Sequence, residues 1–196
     1  MPDRPQLIEL VRLGREERVL EYKRSSPFAE IRQKIIRTAL AMANCRDGGT
    51  IVVGVCEQST GRFIPEGMTS ADLATYDPDQ IQEANNQHAD PYVRSEVHRI
   101  LADGKEFVAI VVHEFDEVPV ICKKDGSQLR RGAVYTRSYQ KPETCEVRSQ
   151  TEMREILELA VDKGVKGFVR RMHAAGAKIE QAESDAQKFQ RQLEGL

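Results

Sequence analysis

Residues 16–57 read EERVLEYKRSSPFAEIRQKIIRTALAMANCRDGGTIVVGVCE, and this stretch decides the fold. In its opening, Val19, Glu21 and Lys23 alternate with Leu20 and Tyr22, so a strand here turns an apolar face one way and sets a carboxylate beside an amine on the other. Ser25, Ser26 and Pro27 supply helix-start chemistry. Ile31, Ile35, Ile36, Ala39, Leu40, Met42 and Ala43 then form a broad apolar stripe, with Arg32, Lys34 and Arg37 off its centre. The helix should stop near Asn44, because Asp47, Gly48 and Gly49 provide a turn. The β-branched run Thr50–Val55 follows, as expected for a strand covered on both faces.

Working outward, residues 6–13 carry apolar side chains at loosely helical spacing and end at Gly14, which predicts a short leading helix. After a loop at 58–67, Asp77 and Pro78 cap and start a helix through about Asn86. The runs Tyr92–Leu101 and Glu106–Phe115 flank Asp103-Gly104, a strong hairpin signal. A second Asp-Gly, at 125–126, predicts another hairpin-like excursion with Arg130, Arg131, Arg137 and Lys141 on or beside it. From Thr151 the pattern is helical. Phe168, Met172, Ala175, Ile179, Ala182, Ala186, Phe189 and Leu193 then follow an alternating 4-3 spacing, a heptad seam that needs a partner, although Gly176 weakens the helix. The expected class is α+β: a mixed, mainly antiparallel sheet with packed helices in a domain over 1–148, and a heptad-patterned helical tail over 149–196 that pairs with a second copy or another protein's helix through 168–193.

Hydrophobic residues make up 40% and charged residues 31% of 196 residues, and no apolar run approaches the roughly 20 residues a membrane span needs. The start carries acids where a secretion signal would be apolar, so the expected location is the cytoplasm, without membrane association. Cys45, Cys56, Cys122 and Cys145 are too scattered for a disulfide framework or a zinc finger. Net charge is only −2, yet it is segregated. Residues 12–46 hold nine Lys/Arg against four Asp/Glu, residues 122–141 six against one, and residues 64–118 three against twelve. Two basic segments can therefore make a polyanion-binding surface on an acidic protein.

The chain has no GxxxxGK[ST] loop and no GxGxxG, GxSxG or HExxH motif, which argues against a nucleotide cofactor and against the common hydrolase sites. What remains is the acidic-basic opening. Glu16 and Glu21 are five apart, so a bend near Arg18 is required to bring them together. Glu21 and Lys23 share a strand face, an arrangement that also arises as an ordinary surface ion pair.

The sequence E(x4)EYK, a helix ending in AMAN, and GGTIVVGV followed by an acid resembles the Schlafen-type Alba-like (Schlafen AlbA) family, described as DNA-binding. The similarity continues more weakly to the Tyr-Thr-Arg at 135–137. In nuclease members, two glutamates five apart and an acid after the Gly-Val strand end form a metal site that cleaves structured RNA. The resemblance thus implies Glu16, Glu21 and Glu57 as ligands of Mg2+ or Mn2+, with Lys23 as a further catalytic residue steadying the phosphate. Cys56 stands where an acid is common. Arg24, Arg37, Lys123, Lys124, Arg130, Arg131 and Arg137 are the expected nucleic-acid contacts. Aromatic content of 6% and no Trp favour recognition of shape and phosphate over base stacking. Three functions stay open: an RNA- or DNA-binding protein with a metal-dependent endoribonuclease site, with a phage-defence or stress role implied by the family alone; a non-catalytic DNA-binding transcriptional regulator; and an oligomeric assembly subunit acting through its C-terminal helix.

Overall fold

The structure is a computed structural model describing residues 2–175. In chain order its elements are α1 (Arg4–Arg12), β1 (Leu20–Lys23), α2 (Phe28–Ala43), β2 (Gly49–Val53), β3 (Val55–Glu57), β4 (Phe63–Pro65), α3 (Ser70–Leu73), α4 (Pro78–Asn86), β5 (Ala89–Asp90), β6 (Ser95–Ala102), β7 (Lys105–Val112), β8 (Ile121–Cys122), β9 (Tyr135–Arg137), β10 (Thr144–Glu146) and α5 (Gln150–Ala174). The class is α+β, with a central mixed sheet in the order β1-β2-β7-β6. Only the β1–β2 pair is parallel, joined by α2 as crossover; β2–β7 and β7–β6 are antiparallel.

The β1 alternation holds. Leu20 and Tyr22 are buried with Leu7 and Val11 of α1 and with Val52 and Phe107, forming a core on one sheet face. The other face is covered by α2, whose Ile35, Ile36 and Leu40 pack with Ile51, Ile110 and Ile81 in the larger core. Each such fully buried aliphatic side chain contributes about 1.5–3 kcal/mol. The mainly β-branched TIVVGV does not run as one strand. It breaks at Gly54, whose φ of 110° is closed to other residues and whose hydrogen faces the Phe107 ring and Met68.

The hairpin at 103–104 is tighter than the sequence suggested. Ala102 pairs with Lys105 across a two-residue turn in which Asp103 (φ 51°) and Gly104 (φ 74°) are both left-handed, a type I′ geometry. The Asp125-Gly126 hairpin is not realised as paired strands. Its arms meet at a Gly126–Leu129 bridge and at Cys122, whose N donates to Ala133 O at 2.9 Å and whose O accepts from Gly132 N at 2.7 Å, while β8 pairs with β5 and β9 with β10. Asp77 caps α4 by accepting from Gln80 N at 2.9 Å.

Ser149 and Glu152 form a reciprocal capping box at the start of α5. Its Ile156 and Leu159 enter the larger core, and Glu155 takes a two-pronged contact from Arg18 at 2.7 and 2.5 Å. Burial alone would raise the Glu155 carboxyl; the Arg18 guanidinium, with Tyr139, brings it below its ordinary range. Of the heptad seam, Phe168, Met172 and Ala175 lie on or just beyond α5; Gly176 and the seam positions from Ile179 to Leu193 lie outside the described residues. No helix among the described residues is long and apolar enough to cross a membrane.

Candidate functional site

The bend expected near Arg18 exists. Glu17 and Leu20 exchange backbone hydrogen bonds of 3.2 and 3.0 Å around a tight turn with Arg18 and Val19 at its tip. The turn folds Glu16 back alongside β1, where its Oε1 accepts from Tyr22 N at 2.8 Å. Glu16, Glu21 and Lys23 thereby line one side of a cleft of about 280 Å3. Lys34, Arg37 and Thr38 of α2 line the second side, and Gln128 with Pro142, Glu143 and Thr144 the third.

Within the cleft Glu21 is fully engaged. One oxygen is paired with Lys23 Nζ and the other with Arg137 Nη1. Arg137 is completely buried, and its guanidinium also donates to Arg18 O at 3.0 Å, Glu17 O at 3.4 Å, Pro142 O at 2.6 Å and Thr144 Oγ1 at 3.2 Å. Arg18 returns the contact, donating from Nε to Arg137 O at 2.9 Å. A nucleic-acid backbone cannot reach Arg137, so its expected role as an external contact is corrected: it is the internal cation that fixes Glu21 and two cleft walls. The misreading came from its partner lying 116 residues away in sequence.

Glu16 is different. Burial pushes its carboxyl above the ordinary glutamate value, with the nearby Glu21 adding to the rise and the Tyr22 N–H opposing it. Tyr22 is itself pushed to about 12, chiefly by burial, and its hydroxyl donates to Leu10 O at 2.5 Å. A carboxyl raised in the folded chain imposes no ionisation penalty below its unfolded pKa of about 4.3 and the full penalty once pH exceeds its folded value. Glu16→Gln keeps the acceptor for Tyr22 and removes the charge. The variant should therefore melt above the wild type at pH 7, with the advantage vanishing near pH 4. Calorimetry at both pH values checks this; an advantage independent of pH would contradict the burial of an ionised Glu16.

Lys34 and Arg37, one helical turn apart, make no ion pair among the described residues. Arg37 donates to Thr144 O at 3.2 Å and lies 5.5 Å from the centroid of the Tyr135 ring. Counting Arg137 behind the wall, four cations meet Glu16, Glu21 and Glu143, so the cleft favours an anion. Lys34, Gln128 and Thr144 were not among the expected site residues. Lys34 carried a readable signal, its i,i+3 spacing from Arg37; Gln128 and Thr144 come from loop and strand-edge segments whose placement depends on the tertiary fold.

The other expected contacts lie around the rim or beyond it. The loop carrying exposed Lys123, Lys124, Arg130 and Arg131 rests on α2, where Gly126 abuts Gln33 and Gln128 reaches the cleft. Arg130 is partly neutralised by Glu146 at 2.7 Å. Arg24 is exposed just past β1.

Glu57 does not join Glu16 and Glu21. It sits exposed at the end of β3, paired in register with Phe63 and beyond the Gly54 break, and is not among the residues lining the cleft. Among the described residues no three His, Cys, Asp or Glu side chains gather as a metal-holding group, and both Glu21 oxygens are occupied by cations. The donor set does not fit the three-carboxylate Mg2+ or Mn2+ centre.

No curated protein matches this chain significantly. Solved structures similar to it include the following two. The DIP2311 protein from Corynebacterium diphtheriae is 19% identical with a TM-score of 0.49, the match covering 77% of this chain and 27% of that protein. The N-terminal domain of a RecG-related protein from Nitrosomonas europaea is 22% identical with a TM-score of 0.47, covering 76% of this chain and 97% of that domain. The Schlafen, AlbA_2 family is matched by residues 16–146, which take in the bend, β1, α2 and the cleft walls through β10. The chain belongs to the Schlafen AlbA_2 family.

Proposed function

We propose that this protein binds nucleic acid by seating a backbone phosphate in the cleft between β1 and α2. The observation that carries this reading is the pair Lys34 and Arg37, adjacent on one helix face, lining the cleft and free of carboxylate partners among the described residues. Lys23 is held at the same cleft by Glu21. Lys123, Lys124 and Arg131 on the neighbouring loop, with Arg24 near the end of β1, extend the contact along a backbone. Phosphate contacts of this type position a polyanion without reading its sequence. Membership of a family described as DNA-binding agrees with this. An oligomer assembled through residues 168–193 is compatible with it.

The test is fluorescence anisotropy with labelled structured RNA and duplex DNA over a range of salt. Each lost phosphate contact reduces the slope of log K against log salt by about 1. Lys34→Ala should therefore lower affinity several-fold and flatten the slope by about 1, with melting temperature unchanged because Lys34 is exposed. Unchanged affinity and slope would refute the cleft assignment. Incubation of the same nucleic acids with Mn2+ or EDTA, beside Glu21→Gln, separates binding from hydrolysis. Metal-dependent cleavage lost in that variant would replace the binding-only reading with an enzymatic one.

A further inference from the structure

α5 contributes no side chain to the cleft, yet one of its carboxylates is tied to the residues that shape it. Glu155 accepts from Nη1 and Nη2 of Arg18, 137 positions away, at 2.7 and 2.5 Å, and the two side chains keep only 18% and 23% of their surface. The third nitrogen of Arg18, Nε, donates to Arg137 O at 2.9 Å, and the guanidinium lies 3.8 Å from the centre of the Tyr139 ring. With each nitrogen already engaged, Arg18 serves the fold of the site and not a ligand. A two-pronged carboxylate contact of this kind fixes the orientation of the guanidinium as well as neutralising it.

What Arg18 touches belongs to two of the three sides of the cleft. It stands at the tip of the turn that folds Glu16 back along β1, and Arg137 returns its contact by donating Nε to Arg18 O at 3.0 Å. Tyr139 lies near the start of the segment between β9 and β10, which carries Pro142 and Glu143 of the third side. Arg137 holds the far end of that segment at Pro142 O. Glu155 therefore orients one guanidinium that bears on both the Glu16 turn and the 138–143 wall. Lys34 and Arg37 stay on α2 whatever becomes of it.

We propose that Glu155 is a positioning residue for the nucleic-acid cleft, acting through Arg18, so that phosphate binding depends on α5 being docked against the body of the protein. This rests on the cleft being the place where the phosphate binds. The sign of the effect separates the role from two others. An acid that acts only through its field opposes a polyanion, and its removal raises affinity; an acid that only stabilises the fold leaves the affinity of the folded protein unchanged. Removing a positioning acid lowers it.

Fluorescence anisotropy of the full chain with labelled duplex DNA and structured RNA, well below the melting transition of each variant, is the test. Glu155→Gln should lower affinity about fivefold or more, with the slope of log K against log salt unchanged because no phosphate contact is removed. Glu158→Gln makes the same charge change at an exposed position of the same helix that has no ion-pair partner among the described residues, and should not lower affinity. In an Arg18→Gln background Glu155→Gln should have no further lowering effect, since its route is gone. Affinity unchanged or raised in Glu155→Gln overturns the proposal, and so does an equal loss with and without Arg18, or a slope flattened by about 1. Glu155→Asp keeps the charge but falls one methylene short, and should lie between the wild type and Glu155→Gln; if the glutamine variant does not fold, wild-type affinity in Glu155→Asp overturns the proposal. Lys34→Ala distinguishes the two levels: if it too is without effect, the cleft assignment fails, whereas weakened binding in Lys34→Ala beside wild-type binding in Glu155→Gln removes the positioning role alone.

Discussion

Arg137→Met is expected to lower the stability of the protein by about 3–5 kcal/mol, the cost of breaking a buried ion pair by removing one partner. The side chain is fully buried and donates to three backbone carbonyls, a hydroxyl and Glu21. Methionine fills similar volume but leaves Glu17 O, Arg18 O and Pro142 O without that donor and confronts Glu21 with Lys23 alone. Arg137→Lys should recover little, because an ammonium on a flexible stem cannot reproduce a planar five-donor fork aimed at several directions at once. Urea denaturation is the measurement. In a double-mutant cycle Glu21→Gln should be markedly less damaging in the Arg137→Met background than alone, since the carboxylate then lacks its main counter-charge. Strict additivity of the two, or a loss below about 1 kcal/mol, would show that the cluster is not the brace described. Nucleic-acid binding should fall along with stability, because the same guanidinium fixes both the Glu17–Arg18 turn and the Pro142–Thr144 wall of the cleft.

How far residues 16–57 foretell the molecule depends on the range of the interaction. The β1 alternation, the α2 stripe, the Asp77-Pro78 helix start and the Asp103-Gly104 hairpin are set by neighbours a few positions apart, and the structure agrees with each. The turn that joins Glu16 to Glu21 was likewise implied by their spacing. Interactions spanning many residues were not legible. Arg137 looked like a surface base because nothing near it in sequence announces that it crosses to Glu21. Glu57, implied as a third ligand by the family resemblance alone, lies past Gly54, which breaks the apolar run through Val55 and leaves β3 paired with β4.

Asn44, the last residue of the AMAN sequence, supports the second large prediction. It caps α2 and has no exposed surface. Its Nδ2 donates to Val120 O at 2.8 Å and Tyr135 O at 2.9 Å, and its Oδ1 accepts from Val120 N at 2.8 Å. One side chain thus holds the end of α2 to the segment before β8 and to β9, all in the larger core. Asn44→Ala leaves one buried donor and two buried acceptors unmatched, and at about 1–3 kcal/mol for each unsatisfied group the expected loss is about 3 kcal/mol or more, a large share of the roughly 5–15 kcal/mol that holds a domain together. Asn44→Asp should be worse near neutral pH, where a buried carboxylate faces two carbonyl oxygens. Its folded pKa should therefore be raised, so this variant regains stability as pH falls toward the unfolded aspartate value of about 3.9 and the neutral acid becomes a donor. Urea midpoints at pH 7 and pH 4.5 distinguish the two substitutions: the deficit of Asn44→Ala should be nearly constant, and that of Asn44→Asp should shrink in acid. A constant deficit for both would mean that Asn44 acts by packing alone. Tyr135 connects this anchor to the cleft, since its ring lies beside Arg37 and its hydroxyl accepts from Arg130 N at 2.8 Å. Loosening Asn44 therefore frees the strand against which Arg37 is positioned, and affinity for nucleic acid should fall under conditions where the variant is still folded.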